Sequence, residues 1–285
     1  MRSVAIGCVI GVAGVFFSSY AWSQNRQANQ PIRADDGKTL YDKASSTGSG
    51  GPAPRQELTG FWAGLISAKL NPVPPMTPWG QEQFRSHKSH SQYSEAESND
   101  PMKFCDPMGF PRDMLYDNRG FAFAPMPGKI LQAFQFNRVW REIWTDGREL
   151  PKNVGGRSAD AADPRWYGYS VGKWDGDTFV VNTTGIDDRS WLDAYGDPHS
   201  GDIAVEERYT RQDLDHLKLT VMITDPIAYT KPFLAQPGLI FRGATKAGVT
   251  GAIAWPTLDL PEQMCVPSES ANYLGLVATP AAGKK

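Results

Sequence analysis

The chain has 285 residues, of which 40% are hydrophobic and 21% charged, and its 29 basic and 31 acidic side chains leave a formal net charge of −2. No basic face recommends nucleic acid or an anionic membrane as a partner. The length fits one large β domain or two smaller ones, and no internal repeat is visible.

The beginning of the chain has the pattern of a secretory signal peptide, residues 1–23. Arg2 precedes an apolar stretch, Val4 to Phe17, and the small residues Ala21 and Ser23 predict cleavage before Gln24. The stretch is shorter than the roughly 20 residues that span a bilayer. We therefore expect a soluble periplasmic or secreted protein with no membrane span, and the pattern does not indicate its oligomeric state. Lipidation at Cys8 is disfavoured because the segment before it is too short.

The next segments predict a flexible leader and then a single domain. Residues 24–55 are rich in Gln, Asn, Ser, Gly and Pro, which is typical of an unstructured leader. Residues 56–285 are interpreted as one β-barrel domain, with a first strand in 60–66. Thr77 and Pro78 predict the cap and first turn of one short helix near residues 78–88.

The remaining chain reads as short strands separated by turns. The predicted strands are 121–124, 129–136, 138–145, 166–174, 178–184, 204–211 and 217–224, with shorter ones at 239–242 and 252–255. Asp146-Gly147 and Asp175-Gly176 are typical of hairpin turns. The pattern favours a mainly β protein, an antiparallel meander closing into a lipocalin-like barrel with a central cavity for one small ligand.

Period-two alternation places ionisable groups on both faces of these strands. Trp140, Glu142 and Trp144 share a face opposite Arg141 and Ile143. In 204–211, Glu206 and Arg208 oppose Glu207 and Tyr209. Because a charge facing the interior must be paired, Arg141 or Arg138 is expected opposite Glu206 or Glu207, either as a structural ion pair or as a ligand clamp.

The abundance of aromatic residues predicts a pocket for a small hydrophobic or aromatic molecule. The predicted ligand-binding residues are Trp140, Trp144, Tyr167, Trp191, Glu142, Glu206 and Arg208. Tyr169 lies on the same predicted face as Tyr167 and would line the same cavity.

The long connection 185–201 carries the candidate catalytic groups. His199 could act as general base or acid with Asp187 or Asp188 orienting it, while Arg141 and Tyr169 stabilise negative charge. The alternative for His199 is a loop histidine bonded to backbone. No cofactor motif is present, and no metal site is expected, so an acid/base enzyme (lyase, isomerase or hydrolase) would be cofactor-free. Ser190 lacks the sequence context of the usual hydrolase nucleophile.

Two cysteines remain after removal of the signal, Cys105 and Cys265. In an oxidising compartment they are expected to form one disulfide, and two separate buried thiols are the alternative. The turn-rich segment 105–112 is interpreted as a structural plug at one barrel end, with Met108 and Phe110 pointing inward.

Several of these segments together resemble a family of secreted bacterial proteins of unassigned function. The motifs are TPWGQEQF (77–84), CDPMGFPR (105–112), RVWREIWTDGR (138–148), YGYSVGKWDGDTFVVNT (167–183), DDRSWLD (187–193), VEERY (205–209) and AYTKP (228–232). The resemblance implies secretion and a single domain, and it brings no activity with it. From the residues, an enzyme, a non-catalytic carrier or sensor, and a structural envelope protein all remain open.

Overall fold

The computed structural model describes residues 52–63, 70, 73–90, 92–115, 120–156, 159, 161–214, 216–243 and 264–279, without the side chains of 63, 236, 237, 240, 242 and 243. The predicted signal peptide, nearly all of the predicted leader and the strand predicted at 252–255 lie outside these residues.

In the described part of the chain, nine strands pair in chain order into one curled, mainly antiparallel sheet. They are β1 (Gly60–Ala63), β2 (Phe121–Met126), β3 (Lys129–Phe134), β4 (Trp140–Trp144), β5 (Tyr169–Asp175), β6 (Thr178–Thr184), β7 (Ala204–Arg211), β8 (His216–Thr224) and β9 (Phe233–Gly243). At the two ends of the sheet, β1 pairs with β9 at Trp62↔Gly243 and Ala63↔Arg242. The prediction of a mainly β protein is confirmed.

Helices are few and short. The predicted helix is confirmed as α1 (Pro78–Ser86), which begins where the Thr77 hydroxyl accepts a hydrogen bond from the Gly80 amide at 3.1 Å. The others are α2 (Arg112–Leu115) and α3 (Pro267–Tyr273), with a 3₁₀ turn at Pro101–Phe104 and a π-helical turn at Leu274–Ala278. Among the described residues, no helix is long and apolar enough to cross a membrane.

One of the two predicted hairpins is confirmed and the other is wrong. Asp175 pairs with Thr178 around the turn between β5 and β6. After Asp146-Gly147, however, the chain does not fold back, because β4 and β5 run parallel and pair at Ile143↔Ser170 and Trp144↔Val171. A parallel pair requires a connection that brings the chain back to the end at which the first strand began, and the connection between β4 and β5 is long enough to do so. The prediction of a fully antiparallel meander is therefore wrong at this one pair of strands.

The core lies on the inner face of the sheet, where alternate residues are buried. The predicted division of β4 is confirmed, since Arg141 and Ile143 are buried while Trp140 is exposed. Phe121 anchors an aromatic cluster, with its ring 4.9 Å from Phe241 and 5.4 Å from Phe123 in edge-to-face contacts. Much of the interior is therefore filled by side chains.

Five polar side chains form a belt across the inner face of consecutive strands. This polar belt consists of Gln132 on β3, Arg141 on β4, Ser170 on β5, Thr183 on β6 and Glu207 on β7, all buried. Gln132 lies opposite Arg141, and Ser170 lies opposite Thr183, in the strand register. Burying these groups is tolerable only because they bond to one another.

A disulfide fixes the segment that covers the belt. Cys105 and Cys265 are joined across 160 residues of sequence, with their Cα atoms 5.3 Å apart. Beyond Cys105, Met108 and Phe110 are fully buried, and the Phe110 ring lies 3.9 Å from the Arg141 guanidinium carbon. The segment thus places an aromatic ring against the buried charge.

Candidate functional site

A cleft of 290 Å³ opens between β4 and the segment leading into β5. We call it the aromatic cleft. It is lined by Trp140, Arg141, Glu142, Trp144, Arg165, Trp166, Tyr167, Gly168, Tyr169 and Ser170. Its volume is close to the lower end of the range for small-molecule pockets, about 300 to 1,000 Å³.

The cleft exists because β5 pairs with only the last part of β4 and leaves the first part of that strand unpaired on this side. β5 pairs with β4 at only two positions. Ahead of β5, the Arg165 amide donates to the Gly185 carbonyl at 3.0 Å, and the Arg165 carbonyl accepts from the Asp187 amide at 2.9 Å. This segment therefore follows the chain after β6 and leaves one edge of β4 open.

Gly168 allows the chain to turn back toward the sheet at this point. Its φ is +61°, a left-handed conformation that favours glycine. A Cβ atom there would lie 2.7 Å from the Thr184 carbonyl oxygen and 2.9 Å from Ile186. Only glycine fits both the conformation and the space, so Tyr167 and Tyr169 depend on it for their positions.

Two residues of the polar belt, Arg141 and Ser170, also line the cleft. Arg141 donates from Nε to Gln132 at 2.7 Å and from Nη2 to both carboxylate oxygens of Glu207 at 2.8 Å. The Tyr209 hydroxyl donates to the same carboxylate. The predicted Arg141–Glu207 ion pair is therefore present and almost completely buried, so Arg141 is held rigidly and its charge is balanced.

Tyr167 forms a second buried contact beside the cleft. Its hydroxyl donates to the Asp113 carboxylate at 2.7 Å. Burial, with the Asp113 carboxylate next to it, raises the pKa of the Tyr167 hydroxyl well above its usual value. Tyr167 therefore stays protonated and serves as a fixed hydrogen-bond donor.

The walls are aromatic rings, and cationic side chains lie over several of them. The Arg148 guanidinium carbon lies 3.5 Å from the centre of the Trp144 ring, and that of Arg165 lies 4.1 Å from the Tyr169 ring. Trp140 is different, since no cation of the described part of the chain lies over its ring and the residue is 64% exposed. Beside the other rings of the cleft, this exposed indole extends the apolar surface that a ligand could cover.

His199 lies elsewhere, in the buried connection between β6 and β7. Its Nδ1 is 3.1 Å from the Ser200 carbonyl oxygen, which can only accept, so Nδ1 carries the proton. Its Nε2 then accepts from the Ser190 hydroxyl at 2.8 Å. Burial lowers the pKa of His199, so the imidazole is neutral near pH 7.

The carboxylates expected to orient His199 have other partners. Asp187 forms an ion pair with Arg189 at 2.6 Å, and this contact lowers the Asp187 pKa. Asp187 and Asp188 line a separate groove of 430 Å³. Asp225 instead holds the loop, because its carboxylate accepts from the Ser200 amide at 2.6 Å and the Ser200 hydroxyl at 2.8 Å.

Three other predicted site residues lie outside the cleft. Glu206 and Arg208 are on the outer face of β7 and contact each other at 3.6 Å. Trp191 is buried, and its ring stacks on His87 with 4.5 Å between ring centres. Among the described residues, no group of three His, Cys, Asp or Glu side chains is placed to hold a metal ion.

The structure thus brings together four of the five predicted aromatic residues, all except Trp191, and separates them from the predicted catalytic loop. Trp140, Trp144, Tyr167 and Tyr169 share the cleft with Arg141 and Glu142. The cleft also contains residues that the sequence reading missed, Arg165 and Trp166. Their position directly before Tyr167, a predicted ligand-binding residue, is the sequence signal that could have identified them. The residues that flank Ser190 lack a hydrolase motif, and its partner His199 is nine residues away in the chain.

No family model matches the chain, and neither a curated protein nor a solved structure is similar to it. The resemblance to secreted bacterial proteins therefore stays a prediction, and the site has to be interpreted from its own geometry.

Proposed function

We propose that this protein binds a small aromatic molecule in the aromatic cleft, as a carrier or sensor. The exposed indole of Trp140 carries the proposal, since it stands at a cleft already lined by Trp144, Trp166 and Tyr169. A planar ligand would cover this indole and remove both surfaces from water.

The pairing of the charged groups supports binding without turnover. Arg141 is neutralised by Glu207, and Glu142 is paired with Lys129. Both charges therefore already have counter-ions, which favours a structural role for them over acid/base chemistry. His199 does not line the cleft, and its ring nitrogens contact a hydroxyl and a carbonyl oxygen instead of a carboxylate.

A lipocalin-like barrel in an oxidising compartment is part of the same proposal. The pairing of β1 with β9 supports closure of the sheet, and the Cys105–Cys265 disulfide supports a periplasmic or secreted location reached through the predicted signal peptide. The ligand, however, would bind in the wall between β4 and β5, because aromatic side chains fill much of the interior.

A binding measurement with a neutral aromatic probe tests the proposal. Naphthamide is titrated into the mature protein by calorimetry, and Trp140→Ala is expected to weaken binding about tenfold, the effect of losing one good aromatic contact. Phe104→Ala is the control, since Phe104 is similarly exposed, at 57%, but does not line the cleft. Equal binding by both variants would contradict the assignment. Mass spectrometry of the bound probe, unchanged or transformed, separates a carrier from an enzyme.

The Ser190–His199 contact favours a second candidate, a cofactor-free hydrolase. Here the His199 imidazole would accept the Ser190 proton as the hydroxyl attacks an ester. The binding protein is preferred because Ser190 and His199 are each only 2% exposed, and Gly109 packs directly against Ser190. A fluorophosphonate, which modifies serines activated by histidine, decides between them. Labelling at Ser190 that is lost in His199→Ala supports the hydrolase, and an unlabelled protein excludes this mechanism.

A further inference from the structure

Among the residues that the structure describes, the Arg165 guanidinium has no charged partner at the aromatic cleft. The residue is exposed and lines the cleft, and its side chain stacks on Tyr169 with the guanidinium carbon 4.1 Å from the ring centre. Within the described ranges it forms no ion pair and no side-chain hydrogen bond. Its five N–H donors are thus directed to solvent or to a ligand.

The other charges around the cleft balance in pairs. Arg141 pairs with Glu207 at 2.8 Å, and Glu142 pairs with Lys129. Two other guanidiniums lie over rings of the cleft, Arg148 over Trp144 and Arg189 over Trp166. Both are paired, Arg148 with Asp146 and Arg189 with Asp187, each at 2.6 Å. Among the described groups that line the cleft or cover its rings, Arg165 therefore leaves one uncompensated positive charge.

The stacking on Tyr169 prepares Arg165 for a planar anion. The Tyr169 hydroxyl is itself fixed, since it donates to the Asp163 carbonyl at 2.8 Å. A guanidinium held on a fixed ring loses less conformational freedom when it binds, and its fork matches the two oxygens of a carboxylate. A phosphate dianion would bring a second negative charge, and the described residues of the cleft offer it no second free cation.

We propose that the ligand is an aromatic carboxylate, whose ring packs among Trp140, Trp144 and Trp166 while its carboxylate bonds to Arg165. This inference rests on the proposed function and specifies its ligand class. The ring accounts for the aromatic walls, and the carboxylate balances the remaining charge.

A matched pair of probes tests the ligand class separately from the cleft. Naphthoate and naphthamide have the same ring system and differ in charge. By calorimetry, naphthoate is expected to bind at least about tenfold more tightly to the mature protein. Arg165→Gln is expected to abolish this preference without changing naphthamide affinity, and Arg165→Lys to retain part of it, because a lysine keeps the charge but not the fork.

Arg85→Gln is the control, because it makes the same change in net charge at an exposed position on α1. It should keep the preference for naphthoate. If naphthamide binds as tightly as naphthoate, or if Arg165→Gln keeps the preference, the carboxylate assignment is wrong although the aromatic cleft stands. If neither probe binds, both proposals fail.

Discussion

At the scale of single residues, the most demanding environment is that of Glu207. Its carboxylate is fully buried and accepts hydrogen bonds from Arg141 and Tyr209. Burial beside this carboxylate raises the pKa of the Tyr209 hydroxyl well above its usual value, so Tyr209 remains a donor. The negative charge is tolerated only because each partner is in place.

Replacing Glu207 by Gln should destabilise the protein by about 3 kcal/mol, because Arg141 would keep a buried charge without its counter-ion. The control is Glu206→Gln, on the same strand but facing outward with 43% of its side chain exposed. That change should cost less than about 1 kcal/mol. Urea unfolding measures both, and equal shifts in midpoint would mean that Arg141 does not need this partner.

His199 should make the protein sensitive to acid. Burial lowers its pKa in the folded state below the ordinary value of 6.5, so the unfolded chain binds the proton more readily. The stabilisation is present above pH 6.5 and is lost as the pH falls from there toward the folded-state pKa. His87, whose pKa burial also lowers, adds to the same trend.

His199→Asn should therefore lower stability near pH 8 and flatten the decline that begins below about pH 6.5. His90→Asn is the control, since His90 lies at the surface in an exposed contact with Glu95. Unfolding free energies measured across this pH range give the comparison. An unchanged slope in His199→Asn would assign the acid sensitivity to other groups.

At the scale of elements, the turn into β5 determines the shape of the cleft. Gly168 has φ +61° and is enclosed by β6, whereas Gly176 has nearly the same conformation, φ +60°, with nothing within 4 Å of an added Cβ. The two glycines therefore share the backbone requirement and differ only in the space around them.

Gly168→Ala should be more destabilising than Gly176→Ala by about 1 to 3 kcal/mol, the usual cost of overpacking. Both variants carry the same cost of placing alanine in a left-handed conformation. The difference between their free energies of unfolding therefore measures the contacts of the added methyl group with Thr183, Thr184 and Ile186. Gly168→Ala should also weaken naphthamide binding by displacing Tyr167 and Tyr169. Chemical unfolding and calorimetry provide the two readouts, and indistinguishable variants would contradict the packing described here.

Strand β4 and the turn after it show how far the sequence could predict the site. The alternation in β4 correctly separated Arg141 from Trp140 and Trp144, because the direction of a side chain in a strand depends only on local geometry. The hairpin expected at Asp146-Gly147 was wrong because a turn sequence cannot specify where the chain goes after it. The same error hid the cleft, which exists only because β5 arrives in parallel.

At the scale of the whole molecule, the disulfide connects distant parts of the chain. It joins Cys105, in the segment that covers the polar belt, to Cys265, 160 residues later, shortly before α3. Closing so long a loop restricts the unfolded chain more than the folded one.

Reduction should therefore lower the free energy of unfolding by about 4 to 5 kcal/mol in the chain-entropy model. Urea unfolding with and without dithiothreitol measures the change. The variant Cys105→Ala/Cys265→Ala should unfold like the reduced protein and should not respond to dithiothreitol. A wild-type midpoint that is insensitive to the reductant would show that the bridge contributes little.

The sequence by itself determined most of the strands from β2 to β8, the inward and outward faces of β4 and β7, and the start of α1, because period-two alternation and capping act between residues close together in the chain. Only the tertiary structure decided the strand register that aligns the polar belt, the parallel pairing that opens the aromatic cleft, and the contact of His199 with Ser190. These features depend on how long connections such as 145–168 and 185–203 return to the sheet. Such connections have no periodicity, and packing against distant residues decides their course.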